Sequence, residues 1–383
     1  MNAAEAPLTL AWARVARPPD FLDLPGWTAA VTAEYATTEV SLERGIAEFL
    51  HAQIGHDSRE LCGLGAEMTA PPEGLRFRIS RTRTQAELAG QAVAALAEVL
   101  PMKELAARCE LVVCSATSLD ESGIFHSMIG GIVGTVGLSH VPHFAVSQLQ
   151  GASLPGAVDI IDSMLTKPGR GALFIAAERW PVAFPRRWDS STVLGDGAVA
   201  AWFTREEQPG LRYVGGTVRS FNPFIREPPL EVRPLPSFEV RGLPPLRGDS
   251  TGANKTPAPR ARRSLTLDTP AMLDAAESVI ADCLREHGVT PMGLSGWISS
   301  GLHPDVDLRL RERLGVRAPV FAPREDDGYW CAAAAPALLA ELSDGVRTGR
   351  VRNDGSFLSW GMSYGGSVGA QLWCSVSGKE AQR

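Results

Sequence analysis

The chain has no apolar run approaching the ~18 residues that a membrane-spanning helix needs, so no membrane span is expected. Its first residues, Met1 to Pro18, lack the charged-then-apolar order of a secretory signal. Cysteine is sparse. Cys62, Cys109, Cys114, Cys283, Cys331 and Cys374 are scattered with no CxxC pair, which argues against a zinc or dithiol centre. Several sit in apolar runs such as Leu111-Val112-Val113-Cys114, where a free thiol behaves as a small buried hydrophobe. A reducing cytoplasm fits that usage. Charge of one sign is lacking too. The formal net charge is −6, with acidic and basic residues mixed along the chain, so no nucleic-acid partner is expected.

What is present is ordinary globular material: 383 residues, 44% apolar and 21% charged, enough for a large core. Helical patterns are expected over Ser41 to His51, Thr84 to Leu100 and a glycine-rich Phe125 to Leu138. Short apolar runs, Leu111 to Ser115 and Gly171 to Ala177, have the character of strands buried on both faces. Pro142 to Val146 leads as a strand into a small-residue helix from about Gln150 to Leu165. Helices alternating with buried strands predict an α/β sandwich with parallel pairing. Further on, Gly195-Asp196-Gly197 makes a turn in which Asp196 orders its own loop, and Ala198 to Phe203 a strand.

From about 220 to 264 the composition turns proline-rich and ends in Arg260-Ala261-Arg262-Arg263. Little regular structure persists among so many prolines. The basic cluster is solvated loop charge or a docking point for an acidic carrier protein. Beyond it, helices are expected over Thr269 to His287, Val306 to Leu314 and Ala332 to Leu342, with a strand over Gly293 to Ser299. The chain closes on a strand, the Gly365-Gly366 loop and another strand. Both halves end in a glycine turn followed by a small-residue strand, a faint internal repeat dividing the chain at about 1–205 and 206–383.

Three segments together resemble ketoacyl-ACP synthase III of the thiolase superfamily. Gly137 to Glu178 is similar to the stretch around that family's nucleophile, with Pro142, Phe144 and Val146 before it and Ala172-Leu173 after it. Gly195-Asp196-Gly197-Ala198 matches the family's central glycine turn. Gly328 to Leu339, Val346 to Val351 and Gly365-Gly366 match its C-terminal part. The resemblance implies the duplicated, five-layered αβαβα thiolase fold, usually dimeric. It also implies acyl-CoA or phosphopantetheine-bound acyl thioesters as substrates, an acyl carrier protein as partner, and no tightly bound cofactor.

The family's chemistry rests on a cysteine at a helix start, assisted by a His and an Asn. Here the matched nucleophile position falls on Gln150, or on Gly151 after a one-residue slip, and neither attacks a thioester. The Asn position falls on Tyr329. Counting from Trp297 puts the His position at Gly301, with His303 the nearest imidazole; as an exposed loop residue capping the next helix, His303 would be structural. His126, His140 and His143 lie near the nucleophile segment. The candidate working residues are thus Gln150, His303 and Tyr329, with Gly151, Gly365 and Gly366 lining the substrate.

With all three positions altered, Claisen condensation is not expected. One expectation is an enzyme without covalent catalysis that decarboxylates a malonyl thioester or transfers an acyl group noncovalently, in fatty-acid or polyketide-type biosynthesis. Gln in place of the cysteine resembles the loading ketosynthases that do the former. The other is a non-catalytic, chain-length-factor-like subunit paired with an active ketosynthase. A third places new chemistry in the old cavity, on Tyr329, His303, Glu178 or Asp120.

Overall fold

A computed structural model describes residues 6–23, 26, 76–118, 128–147, 149–180, 186, 192–226, 266–299, 301–302 and 304–377. The helix expected over Ser41 to His51, together with His126, Asp120, His303 and most of the proline-rich stretch, lies outside these residues. Among the described residues no helix is long and apolar enough to cross a membrane.

The first half contributes strands β1 (Thr9–Ala16), β4 (Cys109–Ala116), β5 (His143–Ser147), β6 (Gly171–Glu178) and β7 (Gly197–Thr204). The second contributes β8 (Gly210–Ser220), β11 (Gly296–Ile298), β12 (Val320–Phe321), β13 (Ser356–Met362) and β14 (Ser367–Val376). Two small two-stranded sheets, β2 (Asp20–Asp23) with β3 (Arg76–Ile79) and β9 (Ile225–Arg226) with β10 (Thr266–Leu267), stand apart.

The strand order is β12-β11-β13-β14-β8-β1-β7-β6-β4-β5. Numbered within each half, both read 1-5-4-2-3. Both also share one pattern of direction. The second strand runs parallel to its two neighbours, and the fifth runs antiparallel to both of its own. The faint repeat in the sequence is therefore a full topological duplication. The two half-sheets pair where Thr9 and Leu10 face Arg212 and Leu211. The expectation of parallel pairing holds for β4–β6 and for β11–β13 but not for β1, β7, β8 and β14. Of these, β1 and β8 carry no alternation strong enough to announce a strand. The strand expected over Gly293 to Ser299 is shortened to Gly296–Ile298, because Pro291 starts a 3₁₀ turn capped by Thr290.

Helices fill the other three layers. On the outside of the first half, α1 (Gln85–Ala97) and α3 (Met128–Thr135) pack together, and α2 (Met102–Arg108) leads into β4. Helix α1 starts at a capping box in which Thr84 and Glu87 satisfy each other's backbone amides, and it buries Leu88, Ala89, Ala92, Val93 and Leu96. On the outside of the second half lie α5 (Thr269–Glu286) and α6 (Pro304–Leu314). Between the half-sheets run α4 (Ser153–Met164) and α7 (Ala334–Arg347). Each central helix touches strands of both halves: α4 lies on β4, β5, β8 and β14, and α7 on β1, β7, β8 and β11. The layering is αβαβα. The inner core is continuous from Phe174 and Val199 through Leu154 and Ala337 to Leu358 and Trp373. A second core under α1 and α3 holds Val112, Cys114, Ile175 and Trp202.

Candidate functional site

The site is built where the two central helices begin. After β5 the chain enters a 3₁₀ turn, Gln150–Ala152, that runs directly into α4. Gln150 adopts φ 48°, a left-handed conformation that non-glycine residues avoid at a cost of about 1 kcal/mol or more. The Ser153 hydroxyl fastens the turn by donating to the Gln150 carbonyl at 2.7 Å. Across the turn, Gly361 of β13 is so close that a Cβ there would sit 2.1 Å from the Gly151 carbonyl. A Cβ on Gly369 of β14 would likewise meet Pro155 at 2.7 Å. Glycines in the second half thus let the first half's helix start seat against them.

The side chain of Gln150 reaches into that second half. Its Oε1 accepts the Tyr364 amide N–H at 3.1 Å, in the loop that carries Gly365 and Gly366. Because the partner is an N–H, the carbonyl end of the amide points to the loop and the NH₂ end is left to donate. Gly151 offers no side chain and is buried. Around it stand the Tyr329 hydroxyl, Gly361 Cα and Met362 N, which a Cβ on Gly151 would meet at 3.1, 3.3 and 3.3 Å.

Tyr329 arrives from the second helix start. Its backbone pairs with the Gly195 turn of the first half: Tyr329 N–H donates to the Val193 carbonyl at 2.7 Å, and Gly195 N–H to the Tyr329 carbonyl at 3.1 Å. Close packing explains the glycines of Gly195-Asp196-Gly197. A Cβ on Gly195 would stand 2.0 Å from the Asp327 carbonyl, and one on Gly197 would lie 2.5 Å from the Trp330 ring. Asp196 does more than order its own loop. Fully buried, it holds the equally buried Arg186 at 2.6 and 3.2 Å and accepts the Ser80 and Trp180 amides. Asp327, in turn, accepts Arg17 and Arg78.

The phenol of Tyr329 is buried, with its oxygen close to the Gly151 backbone and no other hydrogen-bond partner among the described residues. Burial, then the neighbouring Cys331 and Glu178, push it well above its usual range, so it stays protonated. Its ring spans the space between the halves. Cδ2 lies 3.6 Å from where a Cβ on Gly301 would be, and Oη lies 3.1 Å from the corresponding point on Gly151. Gly301 itself takes φ +72°. The ring therefore fills the room between Gly301 and Gly151. His303 lies outside the described residues; His140 is exposed, and His143 hydrogen-bonds the Val141 carbonyl.

Two residues past Tyr329 the backbone of Gln150 is repeated. Cys331 has φ 40°, opens a 3₁₀ turn over Cys331–Ala333, and leads into α7. Its thiol is buried and raised well above the usual range by burial and then by Glu178. Glu178, at the end of β6, is fully buried. Oε1 accepts Thr117 N–H at 2.8 Å and Ala332 N–H at 3.0 Å, and Oε2 accepts Ser118 N–H at 2.7 Å. Burial lifts its pKa to about 7, against the pull of those donors. Cys114 faces the outer core and is pushed to about 12 by burial, so it takes no part.

Sequence reasoning placed Gln150, Gly151, Tyr329 and the Gly365-Gly366 loop, and the fold brings these together. It missed Gly361, the Tyr364 amide and the equivalence of Cys331 to Gln150. The signal for the last was a polar residue before small ones, Gln150-Gly151-Ala152-Ser153 and Cys331-Ala332-Ala333-Ala334.

No protein-family model matches this sequence, and no curated protein matches it. Solved structures do. The 3-oxoacyl-(acyl-carrier-protein) synthase III of Aquifex aeolicus is similar with a TM-score of 0.62 and 18% identity, over 96% of this chain and 99% of that one. The priming β-ketosynthase of the R1128 polyketide biosynthetic pathway gives 0.63 and 18%, over 97% of each. OleA of Xanthomonas campestris gives 0.62 and 15%, over 96% and 98%. At such identities the likeness is one of fold, and the fold is the thiolase fold.

Proposed function

We propose that this chain handles malonyl-type acyl thioesters of fatty-acid or polyketide-type biosynthesis without a covalent acyl-enzyme step, and that it decarboxylates them. The observation that carries this reading is the seating of Gln150, whose amide oxygen occupies the Tyr364 N–H as an acyl oxygen would. Its NH₂ and the protonated Tyr329 hydroxyl are then donors for a second oxygen. In the reaction the bond between the malonyl Cα and its carboxylate breaks and carbon dioxide leaves. The electron pair moves into the thioester as an enolate, whose oxygen these donors stabilise, and a solvent proton completes the acetyl thioester. No nucleophile is required. The thioester would come on an acyl carrier protein or on CoA, in the cytoplasm, to a dimeric protein.

A second reading is favoured by a different observation. The Tyr329 ring fills the space between Gly301 and Gly151, as suits a non-catalytic subunit paired with an active ketosynthase. Intact-mass and product analysis with malonyl and acyl thioesters separates the two. Carbon dioxide release with no mass added to the protein, lost in Gln150→Ala and reduced in Tyr329→Phe, supports decarboxylation. Unchanged thioesters favour the subunit. A stable acyl adduct overturns both.

A further inference from the structure

We infer that Glu178 is the positioning residue of this site, holding the turn that carries Tyr329 and Cys331 against the end of β4. It rests on the reading of Tyr329 as a working group, but its test needs no turnover.

Three backbone N–H groups converge on one fully buried carboxylate, and they come from two places that no strand pairing connects. Thr117 and Ser118 follow β4, in the first half; Ala332 belongs to the 3₁₀ turn that opens α7, in the second. Remove the carboxylate, and the Ser118 and Ala332 amides are left buried, and that of Thr117 half-buried, without an acceptor. The anchor is itself anchored. The Ser118 hydroxyl accepts Gln85 Nε2 at 3.0 Å and Arg179 N–H at 3.0 Å, and Gln85 Nε2 also reaches the Ala177 carbonyl at 2.7 Å. A polar chain therefore runs from the first turn of α1, through Ser118 and Glu178, to Ala332. Tyr329 is three residues from that last amide, and the other end of its turn is fixed by the Gly195 bonds. With both ends held, the phenol has one place to stand, over Gly151.

The titratable groups facing Glu178 are Tyr329 and Cys331, both kept protonated by burial. Arg179 follows it in the chain, and the Arg186–Asp196 pair lies beyond. Glu178 is the group of this cluster that burial places near neutral pH. Opening the turn exposes the carboxyl, which then ionises near its ordinary value, so opening becomes easier as pH rises towards about 7 and a pH step should be visible in the amides Glu178 holds.

Hydrogen exchange, corrected for intrinsic rates, is the experiment. It is followed between pH 5.5 and 8.5 in peptides covering Thr117, Ser118 and Ala332 of the full chain. In the native protein, protection of all three should fall together as pH climbs to about 7 and level off above it. In Glu178→Gln the step should vanish. Protection of Ala332 should fall on the order of tenfold or more, the scale of one charge-assisted hydrogen bond, while the peptides of α5 stay unchanged. Glu178→Asp should restore part of the protection and the step. If the three amides keep native protection in Glu178→Gln, or the step persists without the carboxyl, the inference is overturned. Native-state exchange against pH is measurable even if Glu178→Ala does not fold. Whether malonyl thioester is decarboxylated does not enter these readouts, so failure of the functional reading stays distinguishable.

Discussion

At the start of α4, Gln150 takes a left-handed φ of 48°; at the start of α7, Cys331 takes one of 40°. Both residues open a 3₁₀ turn, both turns run straight into a central helix, and each lies on strands of the opposite half. The surroundings differ. Gln150 is partly exposed and engages a loop amide through its side chain. Cys331 is fully buried, feels the Glu178 carboxyl, and is followed by Ala332, whose N–H that carboxyl holds. One turn is kept open for an exchangeable contact, and the other is sealed. The comparison teaches that the strained turn belongs to the duplicated fold, whereas the chemistry depends on what each half places opposite it.

The largest expected effect falls on the sealed turn. Arg186→Ala leaves the Asp196 carboxylate buried without its partner and should cost roughly 3–5 kcal/mol in denaturant unfolding. A loss below about 1 kcal/mol would mean that the ion pair does not hold the Gly195 turn against Tyr329.

Next comes pH. The pKa of Glu178 is raised from 4.5 to about 7 in the folded chain. Its contribution is therefore fully present below 4.5 and is lost as pH rises through about 7, by up to about 3 kcal/mol. Stability curves of the native protein and Glu178→Gln should differ in slope across that window and run parallel outside it.

Smaller effects come from the glycines that face each turn. Gly361→Ala puts a methyl against the Gly151 carbonyl, and Gly195→Ala puts one against the Asp327 carbonyl. Neither obstacle is a flexible side-chain end, so each should cost about 1–3 kcal/mol by overpacking. Only Gly361→Ala should alter binding of a thioester to the Gln150 side, readable by calorimetric titration.

The smallest effect is the sharpest comparison. Gln150→Gly relieves about 1 kcal/mol of left-handed strain and gives up a hydrogen bond worth about as much, leaving the melting temperature nearly unchanged. Cys331→Gly relieves the same strain but empties a buried site, and should melt lower.

The fold was legible because its evidence is distributed. Buried apolar runs such as Leu111 to Ser115, the alanine-rich helix after Thr84 and the order of the glycine turns all agree with one topology. Strands β1 and β8 were not legible. They join the half-sheets through register and neighbours, and their own residues, Gly215-Gly216 among them, have weak strand character. Of the candidate site, positions aligned to a short motif, Gln150 and Tyr329, could be named from the sequence. Contacts made by backbone atoms were not. The Tyr364 amide, the Gly361 approach and the triple acceptance by Glu178 leave no mark on residue identity beyond a glycine or a lone acid, and only folding defines what they touch.

Gln150 and the Tyr364 amide it engages are 214 residues apart. During synthesis at about 5–20 residues per second, the first helix start waits roughly 10 to 40 s for its counterpart to leave the ribosome. Through that interval the inner face of the first half-sheet has no second half-sheet to cover it. A nascent chain of this design thus carries an unfinished apolar surface for most of its translation, and its yield in the cell should respond to elongation speed and to chaperone supply more than its final stability would suggest.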